Sequence, residues 1–125
     1  MIENELMLSQ IEIFEKETEH TLEVKDGRPY YKGNLFCISD YLPDNLVEDG
    51  GLFCNYSSKK LPKGLKVNGD LDISHSGITE IPDGCKFNSL NISHTKVAKL
   101  RDNLVLDNLW VYYTLLSELP KNLKV

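Results

Sequence analysis

No stretch of this 125-residue chain holds the ~20 consecutive apolar residues that a membrane-spanning helix needs. The first ten residues, MIENELMLSQ, set Glu3 and Glu5 ahead of a short apolar patch and lack a basic segment, which is not the pattern of a secretory signal. Cysteines are few and odd in number: Cys37, Cys54 and Cys85, with no CxxC spacing. A reduced, cytoplasmic compartment is the expectation. No glycine cluster has the spacing of a phosphate-binding loop or a dinucleotide fingerprint. Basic residues are outnumbered, 14 against 19 acidic, for a formal net charge of −5. That deficit argues against direct nucleic-acid binding, which needs a basic stripe. It is compatible with plain solubility or with attraction to a basic protein surface. At 41% hydrophobic and 26% charged, the chain has the composition of one folded domain with a single core.

What the sequence does have is a tandem repeat of about 19 residues. From Leu42 it reads LPDNLVEDGGLFCNYSSKK, and from Leu61 LPKGLKVNGDLDISHSGITE. From Ile81 it reads IPDGCKFNSLNISHTKVAK, from Leu100 LRDNLVLDNLWVYYTLLSE, and a further copy begins at Leu119 with LPKNLKV. The shared skeleton is L-P-x-x-L-x-φ, a polar or glycine pair, then L-x-φ-x-x-[ST]-x-φ, where φ is apolar.

Each position has a physical role. Leu52-Phe53-Cys54, Leu71-Asp72-Ile73, Leu90-Asn91-Ile92 and Leu109-Trp110-Val111 alternate, so they read as short half-buried strands with their middle residue facing out. Pro43, Pro62, Pro82 and Pro120 lie outside those strands, where a missing N–H costs no ladder bond. Gly50-Gly51 and Asn68-Gly69 supply the bend before the strand. Ser57, Ser76, Thr95 and Thr114 follow each strand, and stacked hydroxyls are expected to satisfy the backbone of neighbouring turns. One coil cannot bury its own leucines; stacked coils can, so the expected architecture is a solenoid with a parallel sheet.

Asn34-Leu35-Phe36-Cys37-Ile38 fits a degenerate first coil. Ahead of it, residues 2–19 read as a short amphipathic helix, although Ile11-Glu12-Ile13 also fits a strand. Thr21 to Gly27 looks like a strand entering an Asp-Gly turn, with Pro29-Tyr30-Tyr31 returning. Residues 1–33 would thus cap one end, and residues 34–125 would form about four coils and a partial one. At the other end Leu119, Leu123 and Val125 either lie flat as a lid or pair with another chain to make a homodimer.

The repeat resembles the leucine-rich repeat, LxxLxLxxNxLxxLP. Leu71-Asp72-Ile73-Ser74-His75-Ser76-Gly77-Ile78 matches LxLxxNxL with Ser76 standing at the Asn position, and the likeness runs over residues 42–125. It is most similar to the short repeats of bacterial and bacteriophage proteins. The resemblance implies a leucine-rich-repeat-like parallel β-sheet with short strands and irregular or turn-built returns, preceded by an α/β cap. It also implies a non-enzymatic protein-binding scaffold with no cofactor and no metal.

Candidate site residues are those that break the repeat or crowd its open face. The central outward column is Phe36, Phe53, Asp72, Asn91 and Trp110, flanked by Asp70 on one side and Tyr112 on the other. Exposed aromatics on a sheet are typical interface anchors, so the expected partner-binding set is Phe53, Asp70, Asp72, Asn91, Trp110 and Tyr112. The competing reading has the N-terminal segment folded over Phe36 and Phe53, and a merely solvated acidic surface in which Glu48, Asp49, Asp102 and Asp107 join Asp70 and Asp72. His75 and His94 fall at equivalent positions, in a column with Tyr56 and Tyr113, yet a zinc site needs more ligands than this pair supplies. Cys54 and Cys85 stand where other copies carry core aliphatics. An Asp72-Ser74-His75 triad is disfavoured because Ser93-His94 repeats the same pair.

The expected function is contact with a protein, for instance as a phage or mobile-element inhibitor of a basic bacterial defence enzyme such as a CRISPR nuclease. Two alternatives stand beside it: a self-assembling repeat protein joined through its last coil, and an acidic mimic of nucleic acid.

Overall fold

The computed structural model describes residues 3–36, 41–55 and 60–125. It is a β-solenoid of parallel strands with one N-terminal helix. Helix α1 (Glu3–Thr18) comes first, then strands β1 (Glu23–Lys25), β2 (Arg28–Lys32), β3 (Leu35–Phe36), β4 (Val47–Asp49), β5 (Leu52–Phe53), β6 (Lys66–Val67), β7 (Asp70–Asp72), β8 (Ser89–Asn91) and β9 (Leu109–Trp110). They form two sheets. The front sheet has the order β3-β5-β7-β8-β9 and the back sheet the order β1-β2-β4-β6.

The front sheet repeats at the sequence period. Leu52, Leu71, Leu90 and Leu109 are register partners, and each pair of neighbours is parallel. Leu52, Leu71 and Leu90 are fully buried, as are Ile73 and Ile92 two residues on. Burying each such side chain stabilises the fold by about 1.5–3 kcal/mol, so the column of leucines carries the solenoid. Cys54 is buried in the column of Ile73 and Ile92, and Cys85 is buried in the return-side column of Leu46, Leu65 and Leu104. Burial pushes the Cys85 thiol up from its usual range.

The return side is more regular than irregular turns. β2, β4 and β6 pair in parallel, and bridges between Lys66 and Lys86 and between Val105 and Lys124 carry the pattern on. Between Pro and this segment the chain needs a left-handed residue: Asn45, Gly64, Asn103 and Asn122 have φ of 60°, 69°, 65° and 56°. Asn and Gly tolerate that region best, which explains the Asn or Gly before the second leucine in these four repeats; Gly84, before Cys85, is not left-handed. The hydroxyls of Ser76, Thr95 and Thr114 act within their own coil. Thr95 Oγ1 donates to the Ile92 carbonyl (2.6 Å) and accepts from Val97 N (3.3 Å), and Thr114 does the same with Val111 and Leu116. The expectation that they bridge neighbouring turns is corrected: the bends are local ST-turns. Ser57 and Cys37 lie outside the described residues.

Residues 3–18 take the helical option. Ile11 and Phe14 are buried and Met7 packs beside them, a four- and three-residue spacing that puts one face on the core. Gln10 fastens the helix to the first full repeat, donating to Asp44 Oδ2 and accepting from Asp44 N, both at 3.1 Å. The hairpin β1–β2 turns at Asp26-Gly27, both with positive φ, as a type I′ turn requires. Its second strand, β2, is also the first parallel rung of the back sheet.

At the far end, the chain from Leu119 lies along the return side of the preceding coil. Lys124 exchanges backbone bonds with Leu104 and Leu106 (2.9 and 2.8 Å) and adds one more rung to the back. Leu119 and Val125 stay exposed, Leu123 is half-buried, and Leu115 is exposed beside them.

Candidate functional site

Strand alternation decides which side chains meet solvent on the front sheet. With the leucines inward, register stacks Phe36 on Phe53, Phe53 beside Asp72, Asp72 beside Asn91, and Asn91 beside Trp110. Phe53, Asp70, Leu71, Asp72, Asn91 and Trp110 line one open depression of about 230 Å³. Phe53 and Trp110 bound it three strand spacings apart, roughly 14 Å. Five of the six residues expected to bind a partner are therefore brought together. Tyr112 stands apart from the depression, with 66% of its surface exposed.

The N-terminal segment does not cover the aromatics. Phe36 is 63% exposed, and its ring lies parallel to that of Phe53 with centroids 4.9 Å apart. Phe36 thus covers one side of Phe53 and extends the apolar rim, a role its place in the column permitted but did not reveal. Trp110 is 39% exposed at the other rim.

The polar residues between the rims are partly committed to holding the backbone. Asp72 Oδ1 accepts from Ser74 N (2.9 Å), Ser74 Oγ (2.6 Å) and Asn55 Nδ2 (3.2 Å). Asn91 Oδ1 accepts from Ser93 N (3.0 Å). These are Asx-turns that end each strand, so Asp72 and Asn91 are structural as well as site residues. Ser74 and Ser93 are buried by the same arrangement, and Ser93 Oγ accepts from Tyr112 N (3.0 Å). Asp70, by contrast, points to solvent from the start of β7.

Other acids placed near this face in the sequence lie elsewhere. Glu48 is fully buried in the core. Asp49 is on the back sheet, where Tyr30 Oη donates to its Oδ2 at 2.6 Å. That bond, with Asn68 and nearby lysines adding, holds the Asp49 carboxyl below its usual range against a desolvation effect that raises it. Asp102 accepts from Lys121 N in a return turn. The acidic surface expected around Asp70 and Asp72 is accordingly smaller: at the described front-strand positions those two are the carboxylates, with no basic side chain among them.

His75 and His94 do meet. Their rings stack at 4.3 Å, and Tyr113 continues the stack on His94 at 4.8 Å. All three have left-handed backbones, φ 58°, 55° and 55°, which aims the rings along one exposed edge. Tyr56 lies outside the described residues. Ser74 Oγ is bonded to Asp72 while His75 stacks on His94. Among the described residues, no group of three or more His, Cys, Asp and Glu is placed to hold a metal, and no helix is long and apolar enough to cross a membrane.

The fold and face together define the chain as a small β-solenoid with an acidic, aromatic-rimmed depression. No family model, no curated protein and no solved structure matches it.

Proposed function

We propose that the chain is a protein-binding module whose front sheet grips a basic segment of its partner. The observation that carries this reading is the single depression that gathers Phe53, Asp70, Asp72, Asn91 and Trp110. Aromatic rims with carboxylates between them suit an arginine or lysine side chain. A guanidinium stacks on Trp110 and pairs with Asp70, and Phe53 shields the contact from water. The likeness to short bacterial and bacteriophage repeats directs the first trials at basic bacterial enzymes, defence nucleases included.

Trp110 is the sole tryptophan and sits in the depression, so its emission reports occupancy directly. Titration with arginine-bearing peptides should shift and saturate that emission, and matched glutamate-bearing peptides should leave it unchanged. Asp70→Asn should weaken the arginine response several-fold. Equal responses to both peptide sets would overturn the reading. A steep loss of affinity with salt that also survives Trp110→Phe and Phe53→Ala would favour a charge-only mimic of nucleic acid instead.

A further inference from the structure

We propose that the outward face of the back sheet is a second binding surface, which takes an acidic protein segment that also carries apolar side chains. Alternation and register build this surface. Val67, Phe87 and Leu106 are buried, so Lys66, Lys86 and Val105 beside them point out, and all three are exposed. Val47 pairs with Lys66, Lys66 with Lys86, and Val105 with Lys124. Asp107 N donates to the Asn88 carbonyl, which keeps Val105 beside Lys86 in the same row. From β2 onward the row therefore reads Tyr30, Val47, Lys66, Lys86, Val105 and Lys124, with no acid in it; Glu23 stands beyond Tyr30 on β1.

Lys66 and Lys86 are one strand spacing apart, roughly 4.8 Å, and like charges directly opposite on a sheet are destabilising. A carboxylate set between the two ammonium groups offsets that repulsion. The surrounding coils are basic as well. Residues 60–99 hold six lysines and four acids, and two of those acids, Asp70 and Asp72, belong to the front sheet. At one end of the row, Lys25, Tyr30, Val47 and Lys66 border an open depression of about 370 Å³, together with Asp49, whose carboxylate accepts from Tyr30 Oη. The Lys25 ammonium lies 4.8 Å from the centre of the Tyr30 ring. Val47 is half-buried there, and Val105, further along, is 69% exposed, so apolar ground alternates with charge.

The width and mixture of the row choose its occupant. The next outward row is Asp49, Asn68, Asn88 and Asp107, so the positive strip is one residue wide, with carboxylates beside Val47 and Val105. A nucleic-acid backbone needs a broader basic track, would lie against those carboxylates, and has no apolar group to set on Val105. A peptide sets separate carboxylates on the lysines and apolar side chains over Val47 and Val105. A second copy of this chain offers less: its front sheet brings Asp70 and Asp72, and Asp72 is already engaged by Ser74 and Asn55. The surface lies on the other sheet from the depression proposed to take a basic segment, and neither contact requires the other.

Fluorescence anisotropy of the full chain with a fluorescein-labelled short peptide of glutamate and leucine tests the proposal. The same peptide with glutamine for glutamate, and an oligothymidylate of equal charge, are measured beside it. The glutamate peptide should bind more tightly than either and should weaken as salt is added. Lys66→Glu and Lys86→Glu, made separately, should each weaken it roughly five- to tenfold. Lys96→Glu, the same change of charge off the row, should leave it unchanged. Each row variant should also keep or raise the thermal midpoint, because it turns a like-charge pair into an opposite one. Oligothymidylate bound more tightly than the peptide would overturn the inference in favour of a phosphate track. Self-association of the chain alone, lost in Lys86→Glu, would overturn it in favour of a second copy. Equal peptide affinity in all three variants would overturn it outright.

Discussion

Glu48 and Val67 are register partners on adjacent rungs of the back sheet, and both side chains are buried. The repeat fills this position with Val67, Phe87 and Leu106 in the later coils, so a carboxylate at 48 is a departure inside the core. Burying a charge costs several kcal/mol even where it is held, and a well-packed apolar replacement is often neutral or stabilising by about 1–4 kcal/mol.

Glu48→Val is therefore expected to raise the thermal midpoint by several degrees, since each kcal/mol shifts a small domain by about 4–8 °C. Calorimetry on both chains checks it. A lower midpoint would mean that the carboxylate is bound tightly enough to outweigh its desolvation.

Gly50 approaches the coil before it too closely for any side chain. A Cβ there would lie 2.6 Å from the carbonyl carbon and oxygen of Gly33, and the backbone φ is +155°. Gly27 also has positive φ, +73°, but opens onto free space. Gly50→Ala should cost more than the ~1–2 kcal/mol of left-handed strain expected for Gly27→Ala, because it adds an overpacking cost of about 1–3 kcal/mol. Urea melts of the two variants make the comparison. Equal losses would show that the coils can slide apart at Gly33.

The Tyr30–Asp49 hydrogen bond makes part of the stability pH-dependent at both extremes. It pulls the Asp49 carboxyl below its ordinary range and, together with desolvation and the surrounding acids, pushes the Tyr30 phenol above its own. A lowered carboxylate stabilises the fold above the unfolded-state value and loses that contribution as pH falls through the folded one. A raised phenol is the reverse, contributing below its unfolded-state value and losing it as pH climbs through the folded one. Tyr30→Phe should therefore lower the thermal midpoint slightly between about pH 5 and 9, and the gap to wild type should close at both ends. A gap constant with pH would assign the effect to packing alone.

The front sheet was legible because period and alternation agree across the repeats, and proline recurs in all of them but the copy that starts Leu100-Arg101. Leu52, Leu71 and Leu90 sit inward for the reason their spacing gave. The back strands β4 and β6 were not legible as strands: Val47–Asp49 and Lys66–Val67 are short and flanked by turn residues, and what makes them strands is the pairing of β4 with β2, upstream, and of β6 with β4. In the site, Phe53 and Trp110 stood out as aromatics in a polar column. The double duty of Asp72 and Asn91 could not be read, since an Asx-turn residue and an exposed acceptor have the same identity. Glu48 was misplaced because its residue type marks it polar, while its place at the apolar position of the repeat, shared with Val67, Phe87 and Leu106, puts it inside.

The partner contact proposed here lies at the front-sheet depression. Calorimetric titration of a captured and purified basic partner against wild type, Trp110→Ala, Phe53→Ala and the back-sheet control Lys66→Glu tests it most directly. The expected result is a loss of at least tenfold for each aromatic substitution, about 1.4 kcal/mol or more, and no change for the control. Unchanged affinity for Trp110→Ala and Phe53→Ala, with binding lost in Lys66→Glu, would contradict it and move the interface to the other sheet.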